Sequence, residues 1–162
     1  MAVIRDLPES GPDAKLYEEE NNMSKVAVVY WSGTGNTAAM AEAVAEGAKA
    51  AGAEVDILGP SQFTPAQAEE YDGVALGCPA MGAEQLEETE FQPMWDAAAP
   101  VLTHKKTALF GSWGWGGGEW MHTWEGDCEA AGIHLACDSV TCMSAPDDTA
   151  LAECRALGGA LA

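Results

Sequence analysis

Six consecutive residues near the start of the chain combine hydroxyl, amide and glycine groups in a way that suits anion binding. They lie between an apolar run and an Ala-rich stretch of helix-forming residues. Glycines let a ligand approach the backbone closely, and the first N–H groups of a following helix lack intrahelical acceptors. The segment lacks the Gly-Lys-Ser/Thr of a P-loop and has no basic residue nearby, which favours a single phosphate group held by neutral donors. A glycine-rich turn with an N-capping threonine is the alternative. The six residues are Ser32, Gly33, Thr34, Gly35, Asn36 and Thr37.

Two later loops carry a methionine and several tryptophans among glycines. Trp prefers burial, and glycine costs ordering entropy, so we expect something flat to cover these loops. A methionine and a tryptophan at one sheet edge could enclose a planar ring through sulfur–aromatic and stacking contacts. Packing of Trp113 or Trp115 against the body of the protein is the alternative. The first loop contains Pro79, Ala80, Met81, Gly82, Ala83 and Glu84, and the second contains Ser112, Trp113, Gly114, Trp115 and Gly116.

Metal and disulfide chemistry is not indicated. The five cysteines are an odd number without Cys-x-x-Cys spacing, and the three histidines are isolated from one another. These patterns fit neither a disulfide framework nor a zinc or iron–sulfur site. We therefore expect reduced thiols, no bound metal and a cytoplasmic protein.

The elements that position these loops follow from alternating short apolar runs and helical stretches. Strands that alternate with helices imply a parallel sheet with right-handed crossovers and helices on both faces. Ligands of such sheets bind beyond the carboxyl ends of the strands, which directs attention to the loops after strands 1, 3 and 4. The predicted strands are residues 25–31, 54–58, 73–77, 106–111 and 133–137. The predicted helices are residues 37–51, 89–98, 119–131 and 147–161, with a short helix capped by Thr64.

Charge and composition restrict the partners. Residues 1–22 are acidic and poor in apolar groups, which predicts a flexible tail before one domain over residues 23–162. Seven Lys and Arg against 26 Asp and Glu give a net charge of -19, which would repel nucleic acid and anionic membranes. The sequence contains neither an apolar run long enough to span a membrane nor a secretory h-region.

Three segments together resemble the flavodoxins, specifically the short-chain type of anaerobic bacteria: Tyr30 to Thr37, Leu76 to Gly82, and Leu109 to Gly116. The resemblance covers residues 23–162. It implies an α/β three-layer sandwich with a five-stranded parallel sheet in the order 2-1-3-4-5. It also implies a monomeric, low-potential one-electron carrier with non-covalently bound FMN, rather than an enzyme, that serves redox proteins with basic docking surfaces.

The resemblance assigns roles within the three loops, all of whose residues are predicted to bind the cofactor. Ser32, Thr34, Asn36 and Thr37 would hold the phosphate, Met81 and Trp115 would flank the ring, and Glu84 would accept a hydrogen bond from the ring N3–H. Ser112, Gly114 and Gly116 would lie along the ring edge and the ribityl chain. The peptide at Gly82 would reorient on reduction. Ala83 and Trp113 depart from the residues common in the family, namely a polar or acidic residue and tyrosine.

Acidic residues on or beside the loops would disfavour an anionic reduced flavin and attract basic partners. The set includes Glu84, Glu87, Glu88, Glu90 and Glu119. An alternative function is an FMN-dependent oxidoreductase of the same fold, such as a quinone reductase. A nucleotide-binding regulatory domain is a third interpretation, which would leave the Trp-Gly loop unexplained.

Overall fold

A computed structural model describes residues 23–81, 85–114 and 117–162, and we refer to these as the described residues. The predictions for residues 1–22 and for Gly82, Ala83, Glu84, Trp115 and Gly116 lie outside them. The strands are β1 (Lys25–Tyr30), β2 (Glu54–Leu58), β3 (Gly73–Gly77), β4 (Lys106–Trp113) and β5 (Val140–Met143). The helices are α1 (Asn36–Ala50), α2 (Pro65–Ala68), α3 (Phe91–Leu102), α4 (Glu119–Ala130) and α5 (Asp148–Leu161), with a 3-10 turn at Pro60–Gln62.

The strands form one parallel sheet in the order β2-β1-β3-β4-β5, as predicted. Successive residues of a strand point to opposite faces. Val26 and Val28 accordingly join the core cluster that contains α1 and α5 residues, while Ala27 and Val29 join the cluster that contains α3 and α4 residues. The chain is therefore a three-layer α/β sandwich. None of the described helices is long and apolar enough to cross a membrane.

Helices α1 and α5 pack with almost no side chain between their backbones. A Cβ placed on Gly158 would lie 1.9 Å from the Val44 carbonyl oxygen, and one on Gly47 would lie 1.9 Å from the Arg155 carbonyl oxygen. Only glycine fits at such contacts, because any Cβ would overlap the facing backbone.

The predicted location of the fifth strand is wrong. Residues 133–137 supply only an isolated bridge between Leu135 and Thr107, whereas Val140–Met143 forms the ladder with residues 110–113 of β4. Both segments are short and mostly apolar, so hydrophobicity alone does not choose between them, and the exposure of Thr141 and Met143 could not be foreseen from the sequence. The shift brings the residues after Met143 to the carboxyl edge of the sheet.

Other boundaries differ by a few residues. Helix α3 runs from Phe91 to Leu102 rather than over 89–98, and Pro93 lies in its first turn as expected. The predicted Thr64 cap is confirmed, because its side chain accepts a hydrogen bond from the Gln67 N–H. Asp147, predicted as the first residue of the last helix, is instead the N-cap of α5, and its side chain accepts a hydrogen bond from the Ala150 N–H.

Candidate functional site

A cavity of about 380 Å³ lies beyond the carboxyl ends of the central strands. It gathers residues from all three of the loops that carry predicted site residues. Two residues that sequence reasoning missed, Trp31 and Ser144, also line it. The full lining is Trp31, Gly33, Thr34, Asn36, Pro79, Ala80, Met81, Ser112, Trp113, Gly114 and Ser144.

The loop after β1 is shaped by Ser32 and Gly35. The Ser32 hydroxyl oxygen accepts hydrogen bonds from the N–H groups of Gly35, at 3.1 Å, and Ala38, at 3.3 Å. Gly35 has a φ of 97°, in the left-handed region that favours glycine. The sharp turn starts α1 directly beside the cavity, so the positive end of the helix dipole faces it.

Thr37 provides an observation that points to a ligand. Its side chain is 1% exposed, and its hydroxyl oxygen Oγ1 has no hydrogen-bond partner among the described residues. Buried hydroxyl groups are normally paired, because leaving one unsatisfied costs free energy. The residue is the second of α1, where backbone N–H groups also lack intrahelical acceptors. An anionic oxygen at this position would satisfy both, so the residues fit a phosphate group.

The loop after β3 is joined to β4 by hydrogen bonds that continue the ladder past Gly77. The Cys78 N–H donates to the Phe110 carbonyl at 3.2 Å, and the Ala80 N–H donates to the Ser112 carbonyl at 3.0 Å. Gly111 permits this approach, since a Cβ there would lie 2.3 Å from the Cys78 carbonyl oxygen. Pro79 to Met81 thereby forms one wall of the cavity beside Ser112 and Trp113.

Glu87 differs from the other acidic residues beside the cavity because it is buried. Its side chain is 5% exposed, and its carboxylate accepts hydrogen bonds from the backbone of Thr89, Glu90 and Phe91. Burial opposes ionisation, but these bonds and one from the Thr89 hydroxyl outweigh it and lower the pKa of Glu87 to about 2. Glu87 caps α3, whereas Glu88, Glu90 and Glu119 are exposed as expected.

Trp31 and Ser144 were missed for different reasons. The Trp31 ring packs beside Gly33, where a Cβ would lie 3.2 Å from it, but a tryptophan ending an apolar run is indistinguishable from core in a sequence. Ser144 has a φ of 60° and its N–H donates to the Trp113 carbonyl at 2.7 Å. With the fifth strand placed at residues 140–143, Ser144 would have been predicted to lie at the carboxyl edge of the sheet.

The thiols and histidines form no second chemical centre within the described residues. All five cysteines are free, and the described chain contains no group of three or more His, Cys, Asp or Glu that could hold a metal ion. Burial raises the pKa of the Cys78 thiol to about 12, so this thiol near the cavity is not a nucleophile at neutral pH.

Comparisons with known proteins agree on one family. A family model described as flavodoxin matches residues 28–158. The flavodoxin of Megasphaera elsdenii is 42% identical over 137 residues, which cover 85% of this chain and 98% of that protein. The flavodoxin of Clostridium beijerinckii is 40% identical over 121 residues, covering 75% of this chain and 88% of that one.

The fold agrees as well. The solution structure of two-electron reduced Megasphaera elsdenii flavodoxin superposes with a TM-score of 0.77, covering 84% of this chain and 97% of that one. A structure of a flavodoxin from the domain Archaea, 27% identical, gives a TM-score of 0.73. The match runs over nearly the full length of these small proteins and includes all three cavity loops. The chain therefore belongs to the flavodoxin family, as a short-chain member of these electron-transfer proteins that bind FMN and are not enzymes.

Proposed function

We propose that the protein carries single electrons at low potential on one FMN bound in the cavity beyond the carboxyl ends of β1, β3 and β4. The observation that carries this site is the buried Thr37 hydroxyl without a partner among the described residues. FMN supplies the one-electron chemistry, and the protein supplies binding, orientation and electrostatics. The phosphate would be held by Ser32, Thr34, Asn36 and Thr37, with close approach allowed by Gly33 and Gly35.

The ring and ribityl chain would lie against the other loops. Met81 and Trp113 line the cavity and offer apolar contact to a planar group. The predicted roles of residues 82–84, 115 and 116 belong to the same proposal. Further cavity-lining residues in these two loops are Pro79, Ala80, Ser112 and Gly114.

Low potential is supported by the sign of the charges near the cavity. Glu88, Glu90 and Glu119 are exposed on segments next to its loops, and Asp148 begins α5 at the same edge. Negative charge nearby makes an anionic reduced cofactor less stable, which lowers the potential. The described loops of the cavity contain no Lys or Arg to offset this.

The same acids support redox partners with basic docking surfaces, since complementary charge steers encounter. A monomer is supported by the scatter of exposed large apolar side chains, which in the described chain are Met23, Ile57 and Met143. The five free thiols support a cytoplasmic location, where cysteines stay reduced.

Titration of the apoprotein tests the proposed site. We expect one FMN per chain and much weaker binding of riboflavin, which lacks the charge-assisted phosphate hydrogen bonds worth roughly 1.5–3 kcal/mol each. The purified complex should not turn over NAD(P)H with quinone. Equal affinity for riboflavin and FMN would contradict the phosphate site, and rapid quinone turnover would favour an oxidoreductase.

A further inference from the structure

The buried carboxylate of Glu87 is the principal side-chain cap of α3. It accepts hydrogen bonds from the backbone N–H groups of Thr89 at 2.9 Å, Glu90 at 2.8 Å and Phe91 at 2.9 Å. The Thr89 hydroxyl donates to it as well. Glu90, the residue at the N-cap position, contributes no side-chain cap bond within the described residues. The first turn of α3 therefore depends on a residue that precedes it.

The backbone of Glu87 links this helix start to the sheet. Its N–H donates to the Cys78 sulfur Sγ at 3.4 Å, at the end of β3, and its carbonyl accepts from the Gln92 N–H at 2.8 Å. One buried residue thus joins the carboxyl end of β3 to the first turn of α3. The contact with Cys78 lies inside the core, where Cys78 is fully buried.

The link extends to the cavity through Gln85. Its carbonyl accepts a hydrogen bond from the Met81 N–H at 3.0 Å, and Met81 lines the cavity. On the other side, the Ala80 N–H donates to the Ser112 carbonyl of β4. Met81 is therefore held from two sides. Its neighbour Ala80 is hydrogen-bonded to β4, and its own N–H is bonded to Gln85, two residues before the capping residue Glu87.

We propose that Glu87 is a positioning residue for the FMN site, which holds the Met81 wall in its binding conformation through the α3 cap. The role rests on the proposed function of the cavity. When the cap is lost, residues 85–87 sample other conformations, and the apparent affinity falls with the fraction of molecules in the competent one. This action is conformational and differs from the long-range effect of a solvated charge, which salt screens.

A charge-matched pair of variants tests the role. Glu87→Gln removes one charge and presents an amide to N–H donors, while Glu90→Gln removes one charge from an exposed side chain without a cap bond. We expect Glu87→Gln to weaken binding of oxidised FMN about five- to tenfold, equally at low and high ionic strength. Glu90→Gln should change binding less, and any change should shrink with salt.

Two further readouts separate positioning from loss of stability. If Glu87 positions the cavity wall, Glu87→Gln should change the spacing between the two one-electron potentials at all ionic strengths, whereas a loss of global stability alone should leave this spacing unchanged. Glu87→Asp keeps the charge on a shorter side chain and should also weaken FMN binding severalfold. This variant tests the role even if Glu87→Gln fails to fold. Equal behaviour of Glu87→Gln and Glu90→Gln, or unchanged binding in Glu87→Asp, overturns the proposal.

Amide exchange distinguishes this proposal from the function on which it rests. In the protein without FMN, the Met81 and Phe91 amides should exchange faster in Glu87→Gln than in the parent, and Glu90→Gln should not change them. If the parent binds no FMN, the proposed function fails while the exchange result still decides whether Glu87 holds Met81. Unchanged exchange at Met81 contradicts the positioning role whatever the affinity.

Discussion

The Thr37 hydroxyl should strengthen FMN binding but lower the stability of the protein without FMN. Its oxygen Oγ1 is buried and unpaired among the described residues. Thr37→Val replaces this hydroxyl with a methyl group of similar size, which removes a desolvation cost of about 1–3 kcal/mol. We expect the apoprotein to become more stable in urea while FMN affinity falls and riboflavin affinity stays unchanged. A less stable apoprotein, or equal loss for both flavins, would show that the hydroxyl serves the fold instead.

Glu87 should make stability depend on acid pH in a predictable direction. Its folded-state pKa is about 2 against an ordinary value of 4.5. A lowered pKa means that the stabilisation of the folded protein by ionised Glu87 is complete above about pH 4.5 and is lost as the pH falls toward 2. The stability difference between the parent and Glu87→Gln should be about 1–2 kcal/mol near neutrality and shrink over that window. Urea unfolding at several pH values measures it, and a difference independent of pH would refute the ionised cap.

The site residues that stand out in the sequence are those whose chemistry is unusual for their context, and their roles in cofactor binding stay predictions. Hydroxyls and glycines before a helix, as at Thr34 and Gly35, have few structural reasons to occur together. Glu87 looks identical to Glu88 and Glu90 in a run of acids, and only the fold reveals that one of the three is buried. Whether Glu87 is buried depends on how the start of α3 packs against the end of β3. No local sequence pattern encodes that contact.

At the scale of elements, the contact between α1 and α5 should tolerate change at one glycine and not at its neighbour. A Cβ on Gly158 would lie 1.9 Å from the Val44 carbonyl, whereas one on Gly159 would come no closer than 3.9 Å to the Gly47 carbonyl. Gly158→Ala should therefore cost at least about 2 kcal/mol through overpacking. Gly159→Ala should gain about 0.5–1 kcal/mol of helix propensity. Urea midpoints at constant m-value provide the comparison, and similar effects at both positions would contradict this packing.

Most elements could be predicted because their patterns are local. The buried run of β1, the Thr64 cap and the Pro93 position in α3 all follow from residue types within one or two turns. The fifth strand could not, because two neighbouring segments compete for the edge of β4. Leu135 pairs with β4 only near its start, whereas Val140–Met143 pairs with its end. Which segment forms the strand depends on the position of the chain where α4 ends.

At the scale of the whole molecule, four of the five described basic residues lie at the end of the sheet opposite the cavity, and the fifth, Arg155, lies within α5 beside Glu46. Lys25 and Lys106 begin β1 and β4, Lys105 precedes β4, and Lys49 lies in the last turn of α1. These positions share the amino-terminal edge of the sheet, opposite the cavity. The described residues at the cavity edge therefore include no Lys or Arg to offset the acidic side chains there, in a protein whose net charge is -19.

This asymmetry leads to a final expectation about electron transfer. Glu119 is exposed in the first turn of α4 at the cavity edge, and Glu54 is exposed at the opposite end of the sheet. Glu119→Lys and Glu54→Lys change the net charge equally, so a difference between them reports where partners dock. With a basic c-type cytochrome as acceptor, the rate constant should fall as ionic strength rises, because the Debye length shrinks to about 8 Å at physiological salt.

We expect Glu119→Lys to slow this reaction several-fold at low ionic strength and Glu54→Lys to slow it much less. The two variants should converge at high salt, where steering is screened. Stopped-flow oxidation of the reduced protein over a range of cytochrome concentrations separates encounter from electron transfer. Net charge would be the controlling property if both variants slowed the reaction equally. A greater loss in Glu54→Lys would place docking at the other end of the molecule, away from the cofactor edge, which would contradict the proposed basic docking at the cavity.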